Sequence, residues 1–233
     1  MTPIYDGKAK TLFAGPHPHT VIVAFKDTAT AGNAQKRATF PHKGTLCNAI
    51  SCKLFELLAA HGLPSHYIRK LSDQSFLAHQ VQIIPLEVVV RNRATGSITK
   101  RLGIPRGQPF QPPLLEFFYK SDPLGDPLLC ESHIFALGLA TQNELREIQE
   151  QALQANKTLR EYFAELRIDL IDMKFEFGKT PNGQILLADE ISPDTLRLWD
   201  AQTKESLDKD IFREEKGDLV TAYREVARRM GLV

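Results

Sequence analysis

An α+β fold is predicted by three features of this 233-residue chain. Its first part is built of short β-prone runs, its later part carries two long helical stripes, and the two kinds of segment do not follow strict βαβ alternation. The length suits one large domain or two small lobes around a cleft. With 42% hydrophobic residues there is enough apolar material for a packed core, which excludes a disordered chain. A net charge of +1 gives no drive toward a phosphate backbone, so no nucleic-acid partner is expected. The cysteines Cys47, Cys52 and Cys130 form neither an even disulfide framework nor a CxxC pair, which points to a reducing, cytoplasmic setting. Residues 1–14 carry Asp6, Lys8 and Lys10 without a continuous apolar run, so no signal peptide is predicted. No stretch approaches the roughly 18 apolar residues of a spanning helix, so no membrane partner is expected either.

Taken in order, residues 21–25 read as a strand. Residues 44–61 show a helical stripe of Leu46, Ile50, Leu54, Leu57 and Leu58, stopped by Gly62 and Pro64. Residues 67–71 and 75–79 are two strands with Ser72-Asp73 turning between them. Residues 81–90 are apolar but interrupted by Pro85, which lacks an amide donor and therefore marks a break or hinge. The chain is accordingly divided into a strand-rich part, residues 1–84, and an α+β part, residues 85–233. Residues 103–127 are rich in Pro and Gly and are expected to be mostly loop. Thr141 with Glu144 makes a capping box for a helix whose stripe is Leu145, Ile148, Ala152, Leu159, Phe163 and Leu166. Residues 217–230 form a last amphipathic helix.

The period changes to two at residues 168–189. Ile171, Met173, Phe175 and Phe177 point one way; Asp172, Lys174 and Glu176 point the other. Asn182-Gly183 is a two-residue hairpin signal. With those two residues as the tip, Glu176 lies opposite Asp189, where Cβ atoms are about 4.5–5.5 Å apart. Two carboxylates so placed repel unless a cation lies between them, and hard oxygen ligands suit Mg²⁺ held together with phosphates. The alternative is a solvated strand face on which Lys174 neutralises its neighbours.

Other motifs are weaker. Gly178-Lys179-Thr180 is no P-loop, because position 173 is Met and a strand rather than a helix follows. Gly7-Lys8-Ala9-Lys10 places two ammonium groups on one side of a strand beside a permissive backbone, fit for phosphates or for a solvated turn. Arg91, Arg93, Lys100, Arg101 and Arg106 surround Gly96-Ser97. Arginine matches phosphate in a bidentate fork, and Arg91, directly after Val88–Val90, belongs at a cleft edge. The histidines show no ligand spacing beyond His17 and His19 in a Pro-rich loop, and Trp199 reads as core packing.

Together these segments resemble the SAICAR synthetase family, the phosphoribosylaminoimidazole-succinocarboxamide synthases. The matching stretches are Tyr5-Asp6-Gly7-Lys8-Ala9-Lys10, Pro85-Leu86-Glu87-Val88-Val89-Val90-Arg91-Asn92 and Gly96-Ser97. Further along come Asp172-Met173-Lys174-Phe175-Glu176-Phe177-Gly178, the run Asp189-Glu190-Ile191-Ser192-Pro193-Asp194, Arg197-Leu198-Trp199-Asp200 and Leu207-Asp208-Lys209-Asp210 with Arg213. They occur in the family's order over nearly the whole chain. Two departures stand out. The loop Thr30-Ala31-Gly32-Asn33-Ala34 varies the family's glycine-rich segment, which leaves the roles of Gly32 and Asn33 open, and Met173 replaces the more usual phenylalanine.

The resemblance implies a small strand-rich lobe over a larger α+β lobe with ATP in the cleft. It implies that ATP, L-aspartate and carboxyaminoimidazole ribonucleotide give the succinocarboxamide, ADP and phosphate, through an acyl phosphate. It carries roles onto residues as well: Lys8 and Lys10 to the ATP phosphates, Glu176 and Asp189 to Mg²⁺, Asp172 and Lys174 to the reacting centre. Arg91, Ser97 and Arg197 go to the substrate nucleotide, and Lys209 and Arg213 to ligand carboxylates. The backbone of Gln82 to Ile84, ahead of Pro85, is expected to be free for the adenine edge. A small-molecule kinase and a nucleotide-binding protein without turnover are the competing readings, separable by whether aspartate enters the product and whether ADP forms. Oligomeric state is left open, a homo-oligomer included.

Overall fold

The computed structural model describes residues 2–31 and 36–233, so Gly32 and Asn33 lie outside the described residues. Strands β1 (Pro3–Asp6), β2 (Lys10–Ala14) and β3 (Thr20–Phe25) run antiparallel. A hairpin of β4 (Thr28–Ala31) and β5 (Lys36–Thr39) leads to helix α1 (Lys43–Ala60). Strands β6 (Tyr67–Ser72) and β7 (Ser75–His79) then complete a five-stranded sheet in the order β1-β2-β3-β7-β6. Alternation along β3 buries Val21, Val23 and Phe25 against α1.

The chain leaves this sheet at His79 and enters a second one at β8 (Gln82–Ile83), ahead of Pro85. Beyond the expected break at Pro85 come β9 (Leu86–Arg93), α2 (Ser97–Leu102), β10 (Pro109–Tyr119), β11 (Leu128–Leu129), α3 (Glu131–Ala136) and α4 (Gln142–Glu165). They are followed by β12 (Ile168–Lys179), β13 (Ile185–Ala188), β14 (Leu196–Asp200), α5 (Asp210–Arg213) and α6 (Leu219–Arg229). The second sheet runs β11-β10-β9-β12-β13, with β14 and β8 also paired to β12. The first half of β12 lies between β9 and β14, and its second half between β8 and β13. One strand thus gathers four neighbours, and every residue on its polar side faces side chains remote in sequence.

Helix α4 starts where its capping box places it: the Thr141 amide donates to Glu144 Oε2 (2.7 Å) and the Glu144 amide to Thr141 Oγ1 (3.3 Å). Its stripe of Leu145, Ile148, Ala152, Leu159 and Phe163 is buried against β9, β12 and β13. Helix α1 packs on β3, β6 and β7 and also on α4 and α6, so a single apolar core runs through both sheets. Each fully buried Phe or Leu in it, Phe175 and Phe163 among them, contributes about 2 kcal/mol of transfer free energy. Among the described residues no helix is long and apolar enough to cross a membrane.

Two expectations are corrected. Residues 103–127 are not mostly loop: β10 spans Pro109–Tyr119 and pairs with β9 from Leu114 to Tyr119. Its prolines occupy the interval where the register shifts, between Pro109 and Leu114, so the missing amides break no ladder. The β12–β13 hairpin, in turn, is shifted by one residue. Thr180 and Gln184 close it, with the Thr180 amide donating to Gln184 O (2.9 Å) and the Gly183 amide to Thr180 O (2.9 Å). Only Gly183 in the tip has positive φ (86°), the mark of a three-residue turn; a two-residue type I′ tip would need Asn182 there as well. Glu176 therefore faces Ala188, not Asp189.

Candidate active site

A cavity of about 630 Å³ opens between the β1–β2 turn of the first sheet and strands β9 and β12 of the second. Its lining holds eight basic and eight acidic side chains, so the charges balance, and they are sorted into two ends.

At one end lysines meet carboxylates. Lys174 and Glu176 project from the polar side of β12, and Glu87 from β9. Lys174 Nζ lies 2.5 Å from Glu87 Oε1 and 3.4 Å from Glu176 Oε1, and Lys120 Nζ lies 2.5 Å from Glu176 Oε2. Lys10, at the start of β2, reaches across to Asp189 Oδ1 (2.5 Å) and Glu190 Oε1 (2.7 Å). Asp189 follows β13 in the left-handed conformation (φ 62°), which re-aims its side chain out of the strand's alternation and toward Lys10. His66 holds that turn: Nε2 lies 3.0 Å from the Asp189 carbonyl, and the His66 amide donates to Leu187 O (2.8 Å). Burial disfavours the charged ring and lowers the His66 pKa to about 4, so the neutral ring donates through Nε2. Burial opposes ionisation of Asp189 too, but the Lys10 and Lys174 ammonium groups prevail and lower its pKa to about 2. Lys10 and Lys174, whose charge burial likewise opposes, are held above the ordinary lysine value by the surrounding carboxylates. The expected bare repulsion between Glu176 and Asp189 is thus corrected: each carboxylate already has an ammonium partner.

At the other end guanidinium groups meet carboxylates in register. Arg91 of β9, Asp172 of β12 and Arg197 of β14 are direct cross-strand partners. Arg91 Nη1 donates to Asp172 Oδ2 (2.8 Å), and Arg197 Nη1 to the same oxygen (3.0 Å) and to Oδ1 (3.2 Å). Arg197 Nε donates to Asp210 Oδ2 (2.8 Å), whose other oxygen accepts from Arg213 Nη1 (2.6 Å). Ser97, first residue of α2, accepts weakly from Arg91 Nη2 (3.4 Å). Gly96 has φ 64°, and a Cβ there would lie 2.8 Å from Arg197 Nη2. Asp172 lines the cavity with both oxygens engaged by arginines.

Between the ends, Lys43 at the start of α1 is completely buried and ion-paired with Asp194, which also accepts from Tyr223 Oη (2.6 Å) and stands 3.9 Å from Lys209 Nζ. Cys47, Glu190 and Asp194 bring ligand atoms within 4.8 Å of one another. Lys43 already pairs with Asp194 and Lys10 with Glu190, and burial pushes the Cys47 thiol up, so it stays protonated and unsuited to a hard cation.

Lys8, Lys10, Arg91, Ser97, Asp172, Lys174, Glu176, Asp189, Arg197, Lys209 and Arg213 all line the cavity. Lys8 stands at its mouth, 2.7 Å from Asp122. Gln82 and Ile84 do not line it. Gln82 and Ile83 pair with Lys179 and Gly178, the Ile84 amide donates to Phe177 O (2.9 Å) and the Ile84 carbonyl accepts from Leu86, so this backbone is joined to β12 along one edge. Trp199 is buried, with the Arg106 guanidinium 5.1 Å from its ring centroid. Sequence reasoning missed Lys43, Lys120, Glu87 and Glu116. A single carboxylate inside the apolar run 86–90 was a usable signal for Glu87; the others carry none in their local pattern.

The family model described as SAICAR synthetase matches residues 3–230. A phosphoribosylaminoimidazole-succinocarboxamide synthase of Persephonella marina is 51% identical over 227 residues, covering 97% of this chain and 95% of that one. The crystal structure of the synthase from Ehrlichia chaffeensis has a TM-score of 0.97 at 43% identity, covering 100% of this chain and 99% of that one. A SAICAR synthetase solved in complex with ADP has a TM-score of 0.94 at 45% identity, covering 97% of this chain and 96% of that one. With the two-ended cavity, these matches show that the chain belongs to the SAICAR synthetase family, ATP-dependent ligases of purine biosynthesis that join aspartate to an imidazole ribonucleotide carboxylate.

Proposed function

We propose that the cavity holds ATP at its lysine end and carboxyaminoimidazole ribonucleotide and L-aspartate at its arginine end, and joins the latter two through an acyl phosphate. The observation that carries this reading is the sorting of one cavity into a lysine–carboxylate end and an arginine–carboxylate end, bridged along β12 by Asp172, Lys174 and Glu176. A carboxylate oxygen cannot leave by itself. Transfer of the γ-phosphoryl group to it breaks the terminal P–O bond of ATP and releases ADP. The neutral aspartate amine then attacks the acyl carbon, the C–N bond forms, the C–O bond to phosphate breaks, and the proton lost from nitrogen leaves with the departing phosphate.

Little covalent work falls to the protein; it positions reactants and stabilises charge. Lys10, Lys120 and Lys174 donate to the phosphoryl oxygens, Lys174 nearest the substrate carboxylate because it stands two residues from Asp172. Lys8 guards the mouth. Arg91, Ser97 and Arg197 hold the ribonucleotide, Lys209 and Arg213 the ligand carboxylates. Glu176 and Asp189 fit Mg²⁺: their oxygens are hard donors, and a cavity already in charge balance takes up a polyanion more readily with a cation beside it. Bound there, the ion would offset charge on the ATP phosphates. The strand-rich part, residues 1–84, covers ATP and residues 85–233 carry the metal and substrate groups, in a protein that works in the cytoplasm. ADP release from the purified chain should require both aspartate and the imidazole nucleotide, with the aspartate nitrogen ending in an amide. ADP formed equally well without either acceptor would overturn the reading.

A further inference from the structure

The arginine end continues beyond the cavity. Glu116 of β10, on the far side of Arg91 from Asp172, accepts from Arg91 Nε (2.7 Å) through Oε2, while its Oε1 pairs with Arg101 in the last turn of α2. Glu116 is nine-tenths buried, and neither it nor Arg101 lines the cavity. Alternating charges therefore run Arg101, Glu116, Arg91, Asp172, Arg197, Asp210, Arg213, crossing β10, β9, β12 and β14 at right angles to the strands. Each inner arginine gives Nε to one carboxylate and Nη1 to another, which fixes the plane of its fork; Arg91 Nη2 is left to Ser97, which lines the cavity as Arg91 and Arg197 do.

We infer that Glu116 is a positioning residue for the substrate nucleotide: it never touches ligand, but sets the orientation in which Arg91 presents its guanidinium to the ligand's anionic group. This rests on the assignment of Arg91 to the nucleotide made above. A carboxylate that merely balanced charge would act differently. Removing it would make the site more positive and tighten binding of an anion, whereas removing an orienting partner lets the Arg91 fork turn and weakens binding. The two roles predict opposite signs.

The test is steady-state kinetics of full-length Glu116→Gln, with KM read separately for the imidazole nucleotide and for ATP. A lost charge-assisted hydrogen bond at a bidentate donor should raise the nucleotide KM about tenfold while the ATP KM stays within about twofold. A nucleotide KM that falls, or two KM values that rise together with a lowered thermal midpoint, would overturn the proposal. Arg101→Gln provides a second variant that leaves the buried carboxylate in place. Its nucleotide KM relative to wild type should remain raised in 0.5 M salt, where screening acts over about 4 Å; a ratio that returns to one means charge alone was at work. Arg91→Lys separates the premise from the inference. If it leaves the nucleotide KM unchanged, the assignment of Arg91 is wrong; if it raises KM while both other variants do not, the assignment stands and the role of Glu116 falls.

Discussion

The two ends of the cavity solve the same electrostatic problem with different side chains. At the lysine end, point charges on flexible stems share carboxylates: Lys174 contacts both Glu87 and Glu176, and Glu176 both Lys174 and Lys120. At the arginine end, planar forks are pinned in cross-strand register, Arg91 against Asp172 against Arg197. An ammonium group can exchange a carboxylate for a phosphate oxygen by a rotation of its stem; a fork bonded through Nε and Nη1 cannot. Under the proposed assignment, the end that follows a moving phosphoryl group is the adaptable one, and the end that holds a ribonucleotide still is the rigid one.

The largest effect should come from removing charge at the adaptable end. Glu176→Gln or Asp189→Asn should lower ADP release at saturating substrates by more than about a hundredfold. Because Glu176 has ammonium partners, the empty variant should also melt below wild type, the reverse of what a bare like-charge pair would give; a raised midpoint would break the comparison. Asp172→Asn should cost more stability, about 3–5 kcal/mol against about 1–2 kcal/mol for Glu176→Gln, in denaturant titrations. Lys174 keeps Glu87 when Glu176 is lost; Arg91 keeps Glu116 and Arg197 keeps Asp210 when Asp172 is lost, but two guanidinium groups that shared one buried carboxylate then face each other across a neutral amide.

A pH titration sharpens the contrast further, since only the adaptable end hangs on a neutral imidazole. The folded pKa of His66 is depressed from 6.5 to about 4, so its contribution to stability is complete above pH 6.5 and is lost as pH falls toward 4, up to about 3 kcal/mol. Asp208 slopes the other way over the same window. Burial and the neighbouring Asp210 push it up to about 7, so its contribution is complete below pH 3.8 and is lost as pH rises through 7. The informative quantity is thus the difference between wild type and His66→Gln, which should shrink from pH 7 to pH 4. A constant difference would mean that His66 does not titrate as its burial requires. The smallest effect belongs to Gln82→Ala: with an exposed side chain outside the cavity lining, it should change ATP affinity by less than about twofold in a binding titration.

What was legible in the sequence depended on range. Helix α4 was announced by two residues three apart, and β12 by its own alternation, because both signals reside within one turn or one pleat. The residues lining the site were legible wherever they shared a motif with a neighbour, as Lys8 and Lys10 did. Strand β10 was hidden because Pro112 and Pro113 mask a ladder that becomes continuous only from Leu114. The hairpin register slipped because Asn182-Gly183 looks the same in a two-residue and a three-residue turn, and Pro181 with Thr180 decides between them. Lys43, Glu116 and Lys120 stayed invisible for a different reason: each acts on a partner brought close only by the meeting of strands and helices far apart in the chain.

Gly96 gives the rigid end an unusual vulnerability. Its backbone sits at φ 64° and ψ −134°, a region essentially closed to side-chain-bearing residues, and the space a methyl group would fill is taken by the Arg197 guanidinium. An uncharged change there would wedge Arg197 away from Asp172 and Asp210. The arginine end is therefore as sensitive to shape as to charge, and a single carbon atom can unseat it.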